Sequence, residues 1–147
     1  MPQVDKNNQV VHCLHDWPES LYAFVEARQS TPFDWGSNDC CTFAADAVLQ
    51  CTGLDPLADI RPDGVATWAT QLQAYKLLKA HGGMAAMVTA RLGQPVPVLM
   101  AQRGDVLLVQ MDGLDALVVC LGAQYVGAGP AGVVYGPINK ALLAWRV

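Results

Sequence analysis

The hydrophobic pattern of this chain changes period once, at Gly93-Gln94-Pro95-Val96-Pro97. Before that break, apolar residues recur at helical spacing. After it they run in short blocks separated by Gly, Pro and Asp. Helices first and strands second predict an α+β domain, with N-terminal helices packed on a C-terminal antiparallel β-sheet or half-barrel. No internal repeat or low-complexity linker divides the chain, and its 147 residues suffice to bury roughly two-thirds of the unfolded surface. Residues 1–147 are therefore read as one domain, with residues 1–15 expected to form an extended N-terminal segment.

Within the helical half, Pro18 to Gln29 places Leu21, Phe24, Val25 and Arg28 at helical spacing, with Asp16 as N-cap. The clearest helix runs from Cys40 to Cys51. Cys40, Phe43, Ala44, Ala47, Val48 and Cys51 share a stripe, Asn38 or Asp39 precedes as a cap, and Gly53 follows as a stop. Its small residues would let another element approach closely, as expected of a central core helix. Thr67 to Ala80 reads as a third helix with Trp68, Leu72, Tyr75 and Leu78 on one face and Leu77 beside them. Gly82-Gly83 ends it, and Met84 to Leu92 reads as a short fourth helix.

In the second half, Val106 to Met111 and Ala116 to Gly122 flank Asp112-Gly113 and predict a β-hairpin. Gln124 to Ala128, Gly132 to Tyr135 and Leu142 to Val147 are further β-rich runs. The stretch Gly127 to Gly132 lacks the Lys-Ser/Thr ending of a phosphate loop and is read as a flexible connector between strands.

Composition narrows the function classes. The net charge of −4 supplies no basic footprint for nucleic acid or an anionic membrane. Apolar stretches stop well short of the roughly 20 residues that a membrane span needs. The N-terminus carries no signal-peptide core, so the expectation is a chain made in a cytoplasm without export. The five cysteines, Cys13, Cys40, Cys41, Cys51 and Cys120, are odd in number and irregular in spacing, so free thiols are expected.

Cys40 carries the sharpest chemical signal. A cysteine on the first turn of a helix feels the positive end of the helix dipole and unpaired N–H groups, and both favour the thiolate. A thiol nucleophile also needs a base and a group that orients the base. Cys40 is accordingly either a nucleophile or a core residue whose stripe packs on the sheet. Cys41, about 100° further round the helix, reads as a second packed or partly exposed thiol. Asp39 and Asp105 could form an acid/base pair, but a helix cap and a strand-entrance turn explain them better. His12-Cys13-x-His15 has residue types that zinc accepts without zinc spacing, so no metal site and no cofactor are expected. The Trp and Tyr residues could line a glycan groove or serve as core anchors.

Two words far apart in the chain, Asp39-Cys40-Cys41-Thr42-Phe43 and Gly104-Asp105-Val106-Leu107, resemble the nucleophile and first-strand words of NlpC-type, papain-fold cell-wall peptidases. Phe33-Asp34-Trp35-Gly36, Phe43-Ala44-Ala45-Asp46, Arg103 to Val106 and Ala144 to Val147 further resemble a small family of phage and prophage tail-module proteins. The resemblance spans most of the chain from Asp16 onward and implies a papain-like fold. It also implies that a histidine should open the strand after the hairpin turn, where this chain has Ala116. Alanine accepts no proton, and Asp115 falls on the opposite strand face. Of the three histidines, only His81 follows Cys40 in the chain, at the end of a predicted helix.

The resemblance therefore implies a structural or adaptor component of a phage tail tip or baseplate, with a degenerate site in which Cys40 is vestigial. Such a protein would be made in the bacterial host cytoplasm and reside in the virion tail, with other tail-tip proteins as partners. The alternative is an active tail-associated peptidoglycan peptidase or amidase that uses Cys40. A small cell-wall-binding module is a third reading.

Overall fold

A computed structural model describes residues 13–147. Four helices precede a five-stranded sheet: α1 (Trp17–Ala27), α2 (Cys40–Thr52), α3 (Gln71–Ala80), α4 (Met84–Leu92), then β1 (Val106–Met111), β2 (Leu114–Cys120), β3 (Gln124–Gly129), β4 (Gly132–Pro137) and β5 (Leu143–Trp145). All pairings are antiparallel, in the order β4-β3-β2-β1-β5. The α+β expectation holds, with the helices before the sheet in sequence.

The two-residue turn Asp112-Gly113, with φ of 52° and 78°, sets the β1–β2 register that places Val109 opposite Ala116 and Gln110 opposite Asp115. Both strands read as continuous apolar runs because both sheet faces are covered. On one face Leu117 and Val119 meet α2. On the other, Leu107, Val109, Ala116 and Val118 are covered by Val96, Val98, Ala101, Ile138 and Ala141 from irregular segments.

Helix α2 is the hub. Leu21, Phe24 and Val25 of α1 pack with its Phe43, Ala47 and Cys51, while Met84, Met87, Val88 and Leu92 of α4 pack with Cys41, Ala44, Ala45 and Val48. Burial extends well beyond the expected stripe, which is why the helix is so rich in alanine. Gly53, at φ 79°, closes it in the left-handed conformation where glycine costs least. Asp46 on α2 bridges Arg28 and Arg61, each at 2.7 Å, and Arg61 also reaches Asp55 at 3.0 Å. That chain of ion pairs ties the end of α1 and the 55–61 loop to α2.

Several expectations are corrected. The third helix starts at Gln71 rather than Thr67, because Thr70 caps it by accepting from the Gln73 N–H at 3.2 Å while the Ala69 N–H donates to the Gln73 side chain at 2.8 Å. Trp68 thus lies outside the helix, a buried side chain in an otherwise mostly exposed irregular segment, and the buried residue of α3 is Ala74. Leu72 and Tyr75 are 63% and 40% exposed. Helix α1 ends at Ala27, and Asp16 occupies the N-cap position without a side-chain hydrogen bond. Gly127 to Gly132 is not a flexible connector: Gly127, Ala128 and Gly129 belong to β3, and Gly132 opens β4. A Cβ at Gly127 would lie 2.7 Å from Val118 Cγ1, and one at Gly132 would lie 2.0 Å from the Gln29 carbonyl oxygen. These glycines serve close approach.

Candidate functional site

The site grows out of the loop that feeds α2. Asn38 is buried in a tight turn, where its amide donates to the Thr31 and Pro32 carbonyls at 3.2 and 3.0 Å and its oxygen accepts from Arg28 at 2.9 Å. Asp39, only 1% exposed, then caps the helix. Its Oδ1 accepts from the Thr42 N–H at 2.8 Å, and the Thr42 hydroxyl accepts from the Asp39 N–H at 2.8 Å, closing a capping box. Its Oδ2 accepts from the Gly36 N–H at 2.9 Å and the Trp68 indole N–H at 2.7 Å. One carboxylate therefore anchors the cap, the preceding turn and the aromatic wall. Gly36, at φ 86°, is required here, since a Cβ would meet the Trp68 carbonyl oxygen at 2.3 Å.

Cys40 follows immediately and faces a cavity of about 210 Å³. α3 supplies Ala74, Tyr75, Leu77 and Leu78 to its wall, α4 supplies Met84 and Met87, and the β1–β2 hairpin supplies Met111, Leu114, Asp115 and Ala116. Trp35 and Trp68 complete a predominantly apolar lining. The cavity has the apolar character with few polar groups that small ligand sites share.

Cys40 and Cys41 act as a pair, with their sulfurs 4.0 Å apart. The Cys41 S–H holds the Cys40 thiol below its ordinary value, against the desolvation that pushes it up. The Leu117 and Cys41 N–H groups act in the lowering direction and the Asp39 charge opposes them. Cys41 is raised well above its ordinary value by the same contact and by its own burial. The two directions make Cys40 the sulfur of the pair that ionises first.

Asp105 lies elsewhere. Asp105, 1% exposed, accepts from the Gln102 N–H at 2.9 Å, from Arg146 Nε at 3.1 Å and from the Val147 N–H at 3.1 Å. It closes the turn before β1 and fastens the C-terminus. Its neighbour Gly104 packs against Cys51 near the C-terminal end of α2, whereas Asp39 stands at the N-terminal end of that helix. The two carboxylates are not brought together as an acid/base pair. Asp115 and Ala116 both border the Cys40 cavity: Asp115 is exposed and accepts from Gln110 at 3.2 Å, and Ala116 is buried, packed with Val109 and Val118.

Among the described residues no histidine lines the cavity: His15 is exposed before α1 and His81 caps the C-terminal end of α3. His12 lies outside the described residues. Among the described residues no group of three or more His, Cys, Asp or Glu side chains is arranged to hold a metal ion, and no helix is long and apolar enough to cross a membrane.

The family described as Domain of unknown function (DUF6950) matches residues 12–147. The chain belongs to that family. No curated protein matches it. The matched span takes in the Asn38-Asp39-Cys40 cap, the cavity walls and the strand pair that carries Ala116.

Sequence reasoning missed two features of this site. Trp68 was placed on a helix face, yet it reaches across to the cap; the available signal was that Asp39 has a second oxygen which a capping box leaves free. Cys41 was read as a secondary thiol, yet it partners Cys40. Its signal was adjacency on the first helical turn.

Proposed function

We propose that this chain is a catalytically degenerate papain-like, NlpC-like module that works as a structural or adaptor component of a phage tail tip or baseplate. A cysteine-headed helix packed on an antiparallel sheet that follows it in sequence is the layout expected of that fold. The observation that carries the non-hydrolytic part is the wall of the Cys40 cavity: the strand position where a general base is expected holds Ala116, and no imidazole lines the cavity among the described residues. Without an imidazole base, attack on an amide and release of the acyl group both lose proton transfers worth roughly 10²- to 10⁴-fold each. The tail setting rests on the sequence words around Asp34-Trp35-Gly36, Asp39-Cys40 and Ala144-Trp145-Arg146. Other tail proteins are then the partners, and the virion tail is the location.

The test has two arms. Mass spectrometry of purified tails should find this chain in the particle; tails that are complete without it would sink the adaptor role. Peptidoglycan turnover should be equal for the natural chain and Cys40→Ala.

One observation favours a second reading. The Cys40 thiol is lowered and opens onto a cavity, as an active peptidase or amidase would require. Peptidoglycan turnover that disappears in Cys40→Ala would establish that reading over the first.

A further inference from the structure

A nucleophilic sulfur and an apolar volume meet at the head of α2. The cavity measures about 210 Å³. A cavity of about 150 Å³ takes a benzene molecule, so by proportion this one takes a chain of about eight carbon atoms. The inner wall of Trp68, Leu78, Met84 and Met87 presents hydrocarbon, thioether and indole surface. No Lys, Arg or His lines it. The Asp39 carboxylate is already committed to three N–H donors, and the other carboxylate of the lining, Asp115, is solvent-exposed on the hairpin and accepts from Gln110, so the charge stands at the mouth and the inner wall is apolar. The complement of such a space is an uncharged hydrocarbon chain whose reactive end meets Cys40.

We propose that Cys40 is an acyl acceptor: it takes an acyl group of about eight carbons from a small-molecule acyl thioester and holds it as a thioester, with the hydrocarbon chain in the cavity. The Cys40 sulfur attacks the thioester carbonyl carbon, a new C–S bond forms, the old C–S bond breaks, and the departing thiolate takes the proton that Cys40 gives up. No oxidant or reductant is needed. The Cys40 N–H on the first turn is not taken by the Asp39 cap and is available to a developing oxyanion, while the Cys41 N–H already faces the Cys40 sulfur. The Cys41 thiol, 4.0 Å from the Cys40 sulfur, favours the attacking form of Cys40.

The bond persists for the reason that makes the site a poor peptidase. Hydrolysis of a thioester calls for an activated water, Ala116 activates none, and an apolar chain filling the cavity keeps water out. The inference thus rests on the non-hydrolytic reading of the site, and it adds a covalent ligand to it.

The experiment uses the full chain, incubated with the N-acetylcysteamine thioesters of acetate, octanoate and hexadecanoate and followed by intact mass and peptide mapping. The expected result is one octanoyl group on Cys40, absent in Cys40→Ala, formed at least about tenfold faster than either other adduct and stable without release of octanoate. Tenfold corresponds to about 1.4 kcal/mol. Ala74→Phe narrows the cavity, and its octanoyl rate should fall by at least about tenfold relative to its own acetyl rate. Equal rates for all three chain lengths, or labelling of other cysteines instead of Cys40, would overturn the proposal. Absence of any adduct overturns it too, and leaves the non-hydrolytic reading standing. Continuous release of octanoate that depends on Cys40 overturns both.

Discussion

Replacing Asp39 by alanine tests whether one carboxylate organises the head of α2. The loss is worked from its partners. The Thr42 N–H loses its cap, worth about 1 kcal/mol. The Trp68 indole N–H, at 2.7 Å in a fully buried pair, is left without an acceptor, which costs about 1–3 kcal/mol. The Gly36 N–H is half-buried, water reaches it, and its loss falls at the low end, about 0.5–1 kcal/mol. The total is about 2.5–5 kcal/mol, a large part of the 5–15 kcal/mol that holds a domain of this size together. Urea unfolding followed by tryptophan fluorescence measures it. Trp68→Phe removes the indole donor, so in that background Asp39→Ala should cost about 1–3 kcal/mol less. Additivity of the two substitutions within about 0.5 kcal/mol would refute the claim that Asp39 holds Trp68 across the site.

Other substitutions probe other links. Gly132→Ala places a Cβ 2.0 Å from the Gln29 carbonyl oxygen at φ 145°, and should lower the unfolding free energy by about 2 kcal/mol or more in the same urea assay. Iodoacetamide should alkylate Cys40 with a pH midpoint below that of an ordinary thiol, and Cys41→Ala should move the midpoint up, since it removes the S–H that favours the thiolate. The Cys51 thiol is pushed from 9.0 up to about 12, chiefly by burial and then by Cys13. A raised thiol value gives stability that is complete below pH 9.0 and is lost as pH climbs toward 12, so wild type should lose more stability than Cys51→Ala across that window. Ala116→His returns an imidazole to the cavity wall, and an octanoyl group on Cys40 should then be released faster by roughly 10²-fold or more, read as free octanoate.

What could be read from the chain follows from how local each signal is. β1 was legible to the residue because Asp112-Gly113 is a two-residue turn whose positive φ values only a short list of residues accepts, and the turn sets the register by itself. α2 was legible because cap, stripe and stop are all local. The start of α3 is not legible, because Trp68, spaced as if on a helix face, is drawn out of the helix by an acceptor 29 positions earlier in the chain. Nothing within a turn of Trp68 encodes that bond. Leu72 and Tyr75 then stay exposed, since the side of α3 that meets the core is set by Ala74 and by the approach of α4.

The same distinction separates what is known about Cys40 from what is proposed for it. Its place on the first turn is a local property, legible in Asn38-Asp39-Cys40. Its chemistry depends on β2, more than seventy positions later, where the choice between Ala116 and a histidine decides whether a thioester at Cys40 is an intermediate or an end point. A retained nucleophile beside an absent base is ordinarily taken as decay. The cavity argues for a narrower conclusion. If the site were only a relic, larger side chains would be free to occupy this apolar space of about 210 Å³, since apolar surface left open to water adds nothing to stability. Ala74 and Ala116 stand where such filling would occur, with larger side chains around both. Substituting leucine at Ala74 should therefore raise the unfolding free energy if the space is merely vacant. A loss of octanoyl uptake alongside that gain would show the volume to be kept for a ligand at the expense of stability.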